Sequence, residues 1–181
     1  MAELRTNKPD AARRQLDAAI RMLFSNEDAL AIHTIACAAD RILRDLADKS
    51  GKSKFHEALK TRIKPGMEKQ FWAAMNKSAN YLKHADTDPD ELLEGVQEEA
   101  TDMTIAMACL NYGSLGFQLT PTMQGFMGWF ITLHPGVLKE TAPEKAIVDR
   151  PDFTLIRSRP RTVQLEMGNA LLKVMIQKAK Q

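Results

Sequence analysis

Along most of this chain apolar residues return at alternating intervals of three and four, a rhythm that puts them on one side of an α-helix and on no single face of a strand. It is cleanest in Leu93, Val96, Ala100, Met103, Met107 and Leu110. The same spacing runs through Leu16, Ile20, Leu23 and Phe24, and through Ile32, Ile35, Ala39, Ile42 and Leu46. Alanine, leucine, methionine, lysine, glutamate and glutamine are plentiful, and their unbranched side chains lose little rotamer freedom in a helix. Such a sequence predicts an all-α bundle of about five to seven helices in a single domain spanning residues 1–181.

Punctuation between the periodic runs places the helix ends. Pro9 suits an early helical position, so a first helix is expected from about Pro9 to Phe24. Ser25-Asn26-Glu27-Asp28 reads as a tight break and cap, and a second helix should run to Lys49, before Ser50-Gly51. Helices over Phe55–Arg62 and Met67–His84 follow, then one from Leu93 that fades near Gly113. Thr120-Pro121 opens another, closed by His134-Pro135-Gly136; within it Gly125 and Gly128 would let a neighbouring helix come close. Prolines break residues 137–160 into an irregular wrap, with Phe153-Thr154-Leu155-Ile156 as a short extended piece. A last helix is expected over Thr162–Lys178, with Val163, Met167, Ala170, Leu171 and Val174 turned inward.

Composition narrows the class further. At 181 residues, 44% hydrophobic and 27% charged, the chain can bury a core without staples. A formal net charge of +2 permits RNA binding but does not mark a protein that grips nucleic acid chiefly by phosphate neutralisation. Cys37 and Cys109 fall inside apolar helical patterns and read as buried thiols, too few for a zinc cage or a disulfide framework. The N-terminal residues have no signal-peptide pattern, and the run Phe126–Leu133 is far shorter than the roughly 20 residues of a spanning helix. The expectation is a cytoplasmic protein without membrane, metal or cofactor. A small-molecule pocket among the methionines of the two helices at 93–110 and 121–133 is a further option, though methionine at helical spacing usually marks core.

Titratable residues concentrate in two places. His33, Cys37, Asp40 and Arg44 form a stripe at spacings of four, three and four. His33 and Cys37 would supply half a metal site, but no third and fourth ligand follows at matching spacing. The alternative is a stripe packed on a second helix, with Asp40 or Arg44 in local salt bridges. The segment from Asn76 to Asp86 is richer in polar capability. Asn76, Asn80 and Lys83 recur at spacings of four and three, opposite Phe71 and Met75, followed by His84 and Asp86. With Lys77 they offer amide donors and acceptors, ammonium groups, an imidazole and a carboxylate, a set suited to a phosphate or ribose. A solvated face running into a polar turn has the same spacing. His134 at a helix end is ordinary complementation of exposed carbonyls.

Asn80-Tyr81-Leu82-Lys83-His84, between two long helices, resembles the signature of the HEPN superfamily of helical bundles. That signature is an arginine, commonly followed by a polar residue, then a histidine after four to six intervening positions; Asn80 matches the polar position and His84 the histidine. The place of the arginine holds Ala79, and only Lys77 supplies a cation nearby. The resemblance covers residues 8–112, with 113–181 as additional helices and wrap. It implies a homodimer that brings two motifs into one cleft. It also implies either a metal-independent ribonuclease using His84 or a non-catalytic form that binds RNA, a nucleotide or a protein partner. Lysine lacks the planar fork with which arginine grips phosphate, which favours the non-catalytic form. A third option is a purely structural homodimer, with its face on the second helix and around Phe126, Trp129 and Phe130.

Overall fold

The computed structural model of the protein describes residues 5–52, 98–135 and 155–181, together with Gly66, Lys69, Lys77, Asn80, Tyr81, Asp90, Leu92 and Leu93. Among these residues the chain is all-α, with no strand. The long helices are α1 (Lys8–Phe24), α2 (Ala29–Lys49), α3 (Glu98–Ser114), α4 (Pro121–Leu133) and α5 (Arg161–Lys178). Residues 155–157 add helical backbone just before α5. The expected short helix over Phe55–Arg62 lies outside the described residues; of the one over Met67–His84, positions 69, 77, 80 and 81 are described, and they are helical.

Local chemistry sets the ends. The Asn7 side chain accepts the Asp10 N–H at 2.9 Å, with Pro9 beside it, and so begins α1. Asn26 turns the chain with φ at 55°, a left-handed conformation that asparagine tolerates better than most residues. Asp28 then accepts the Ala31 N–H at 2.9 Å and begins α2. A link this short makes α1 and α2 antiparallel neighbours. At α4 the Thr120 hydroxyl oxygen accepts the Met123 N–H at 3.1 Å while Pro121 opens the helix.

Helix α1 sits centrally and meets each of the other four; α3 lies along α2, and α5 along α4. One core draws on all of them: Leu16, Ile20 and Phe24 of α1, Ala36 and Leu43 of α2, Ile105 and Cys109 of α3, Met123, Phe126 and Phe130 of α4, Leu165 and Leu172 of α5. Aromatic rings join α1 to α4, with Phe24 meeting Trp129 edge-on at 5.2 Å between centroids. The Trp129 indole N–H donates to the Gln164 carbonyl at 2.7 Å, tying α4 to α5.

The structure corrects several expectations. In α5 the residues turned inward are Leu165, Gly168 and Leu172, whereas Met167, Ala170 and Val174 are exposed and Val163 and Leu171 half-buried. A Cβ at Gly168 would overlap the Phe24 ring, so the missing side chain is what lets α5 seat on α1. Counting apolar residues therefore points to the wrong face. Gly125 behaves as its spacing predicts, since a Cβ there would stand 3.3 Å from the Leu172 Cα. In α2 two members of the expected stripe, Ile32 and Ala39, are buried, while Ile35, Ile42 and Leu46 are half-buried; the burial extends instead over His33, Ala36, Cys37, Asp40, Leu43 and Ala47. Helix α3 is enclosed on nearly every side; of its expected stripe Met107 is buried, whereas Ala100, Met103 and Leu110 are half-buried. Leu93 is not helical, and Leu155 and Ile156 are helical where an extended piece was expected. Phe126, Trp129 and Phe130 are core, at 0, 3 and 2% exposure, and form no outer face for a partner. Met107, Met123 and Met127 are likewise packed into the interior.

Candidate binding site

Of the polar segment read as a binding group, Lys77 and Asn80 are described: both are helical and exposed, and Tyr81 beside them is half-buried. Three residues apart, they lie on neighbouring turns of one face, about 5–6 Å between Cβ atoms in a regular helix. Asn76, Lys83, His84 and Asp86 lie outside the described residues.

The second stripe is an internal seam. His33 is 2% exposed, with Nδ1 2.9 Å from the Thr101 hydroxyl of α3 and Nε2 3.4 Å from the Cys37 sulfur. Burial pulls its pKa below the ordinary histidine value, so the ring is neutral at pH 7. Asp40 pairs with Arg44 through Oδ2 at 3.2 Å. Burial pushes the Asp40 carboxyl upward, while Arg44 and the Asn111 side chain favour its ionised form. His33 with Thr101 and Asp40 with Asn111 join α2 to α3, while Cys37 and Arg44 are partners within α2. No group of three His, Cys, Asp or Glu side chains among the described residues is arranged to hold a metal ion.

The third polar region has Arg161 at its centre. Its guanidinium donates to both oxygens of Asp102 at 2.7 Å, a bidentate pair with Asp102 fully enclosed. Nε stands 3.1 Å from Glu98 Oε2 without its N–H aimed at that oxygen, and the guanidinium lies over the Trp129 ring, 5.1 Å from its centroid. Burial raises the Asp102 pKa, and the hydrogen bonds from Arg161 oppose the rise. Outside this pair opens a cavity of about 360 Å³, lined by Glu98, Glu99, Leu133, His134, Arg157, Arg161 and Gln164. That is the lower end of the size range of small-molecule sites, about 300–1,000 Å³. His134 is held neutral at pH 7, chiefly by burial and also by Arg161, with the Asp102 and Glu99 carboxylates pulling the other way. Arg157 spends its Nε–H on the Thr132 carbonyl at 2.7 Å, closing the end of α4.

Sequence reading missed this cavity because its parts come from three helices and the turn before α5. Two signals were present. Asp102 sits in the apolar run of α3, where an unpaired carboxylate would be costly. Arg161 stands in the first turn of α5, where a cation opposes the helix dipole unless an acid elsewhere holds it. No family model, curated protein or solved structure matches the chain. No helix among the described residues is long and apolar enough to cross a membrane.

Proposed function

We propose that the protein is a cytoplasmic, non-catalytic helical module that binds single-stranded RNA or a nucleotide, and that it works as a homodimer. The reading rests on the exposed pairing of Lys77 and Asn80 on one helical face. It is supported in the sequence by Asn76 and Lys83, four before and three after Asn80, with His84 and Asp86 following, and by the similarity of Asn80-Tyr81-Leu82-Lys83-His84 to the HEPN signature. With Ala79 where that signature has arginine, the bidentate grip on a scissile phosphate is missing. Recognition through amides and ammonium groups survives that loss.

Fluorescence polarisation of labelled mixed-sequence RNA, with a nucleoside monophosphate as competitor and chelator present throughout, tests the reading. Asn80→Ala/His84→Ala should weaken binding at least about tenfold, the effect of one or two charge-assisted hydrogen bonds. Equal binding by the double variant and the wild type removes this face from consideration. The cavity beside Arg161 favours a second reading, a nucleotide held among His134, Arg157 and Glu99. Loss of the competitor's binding in His134→Ala, with Asn80→Ala unaffected, would move the site there. RNA cleavage that disappears in His84→Ala would replace the binding module with a metal-independent ribonuclease.

A further inference from the structure

Helix α5 carries two apolar faces. The inner one is Leu165, Gly168 and Leu172, buried on α1 and α4. At about 100° per residue, Val163, Met167, Ala170 and Val174 lie on the opposite side. Met167 is 39% exposed and Val174 47%, Ala170 is also exposed and Val163 is half-buried, so that most of the stripe is open among the described residues. Spacings of four, three and four are those of a coiled-coil seam rather than of scattered surface residues.

The flanking charges say what fits it. With Met167 and Val174 as the a positions and Val163 and Ala170 as the d positions, Glu166 and Lys173 fall at g, and Gln164, Leu171 and Lys178 at e. Two copies of α5 running antiparallel, with the two-fold axis beside residues 168–169, put all four stripe residues into facing layers. Val163 then meets the partner's Val174, and Met167 meets the partner's Ala170. The same register places Glu166 opposite the partner's Lys173, and by symmetry this happens twice. A parallel pairing would instead set Lys173 against the partner's Lys178 and Glu166 against the partner's Leu171. Charge complementarity thus selects one partner and one direction.

We infer that the outer face of α5 is a self-association surface, on which a second copy of this chain docks antiparallel through Val163, Met167, Ala170 and Val174. The assignment rests on the dimeric part of the proposed function and is independent of RNA binding. A single helix pair is a small interface and should dissociate at accessible concentrations.

Sedimentation equilibrium of the full chain, over about 1–200 μM, is the test, since small interfaces are often micromolar. The wild type should show a reversible monomer–dimer equilibrium. Met167→Lys/Val174→Lys should be monomeric throughout, with unchanged helical circular dichroism because both positions are exposed. Lys173→Glu should raise the dissociation constant by about tenfold, having set like charges opposite each other at both ends. Glu166→Lys/Lys173→Glu should restore it. A wild type monomeric at every concentration, or a dimer indifferent to Met167→Lys/Val174→Lys, overturns the surface. Failure of the charge exchange to restore association overturns the antiparallel arrangement. A dimer that binds no RNA would leave this inference standing and sink only the RNA reading.

Discussion

At His33 an imidazole is caught between a hydroxyl 2.9 Å from one nitrogen and a thiol 3.4 Å from the other, with almost no solvent beside it. A neutral ring satisfies that setting with one donor and one acceptor; a charged ring would have to be desolvated. The folded pKa is therefore lowered, while in the unfolded chain the ring titrates near its ordinary value of 6.5. Below that value the unfolded state binds the extra proton, so the His33 contribution is fully present above it and is lost as the pH falls toward the folded pKa. His134 acts in the same sense. Asp17, Asp40 and Asp102, whose folded pKa values are raised, act in the opposite sense at lower pH. Comparing wild type with His33→Gln isolates the one ring. By urea denaturation at pH 7 the variant should be less stable by about 1–3 kcal/mol, the cost of leaving buried partners unsatisfied. That gap should narrow toward pH 5; a gap constant with pH would show that His33 does not titrate on unfolding. The four-residue spacing of His33 and Cys37 was visible in the sequence, but not whether their neighbours would be ligands or a threonine of another helix.

Helix ends were legible because they are decided within a few residues. Asn7 and Pro9, Asp28, and Thr120 with Pro121 each satisfy or spare backbone N–H groups of their own first turn, whatever packs outside. Helix faces were less legible. In α5 the stripe of Val163, Met167, Ala170 and Val174 turns away from the core, and a glycine marks the inward face because Phe24 occupies the space a side chain would take. In α3 the periodic stripe was real, but Thr101, Asp102, Thr104 and Asn111 are as deeply buried as the apolar residues. Polar residues at such positions look like a solvated face until their partners are known. Gly168→Ala should accordingly destabilise the protein, although alanine is the better helix former by about 1 kcal/mol. Forcing a methyl against the Phe24 ring costs about 1–3 kcal/mol, as overpacking does. Thermal unfolding should show a lower midpoint for Gly168→Ala, partly recovered in Phe24→Leu/Gly168→Ala. A raised midpoint would mean that α5 does not seat on α1 as described.

Across the whole molecule the joint most exposed to failure is Arg161 with Asp102, partners 59 residues apart that bind α5 to α3. Removing the cation alone leaves a carboxylate in a closed interior, so Arg161→Met should cost about 3–5 kcal/mol. Asp102→Asn/Arg161→Met removes the stranded charge and should recover part of that loss; a double variant no better than the single would show that the ion pair is not the source of the cost. The same joint walls the cavity, so ligand binding there and bundle stability should fall together in Arg161→Met. The core explains why one sequence supports this arrangement: Leu16, Ile20 and Phe24 are buried on the central helix, which meets all four of the others. From the residues alone follow the all-α class, the caps at Asp28 and Thr120, the extents of α1, α2, α4 and α5 and the close approach at Gly125, since backbone propensity and capping act over a turn or two. Only the tertiary structure decided which side of α5 is buried, that α3 is enclosed, that Asp102 pairs with Arg161, and that Glu98, His134 and Arg161 line one cavity. Those outcomes depend on what stands opposite each side chain, and steric fit and charge pairing between distant segments leave no periodic trace in either segment by itself.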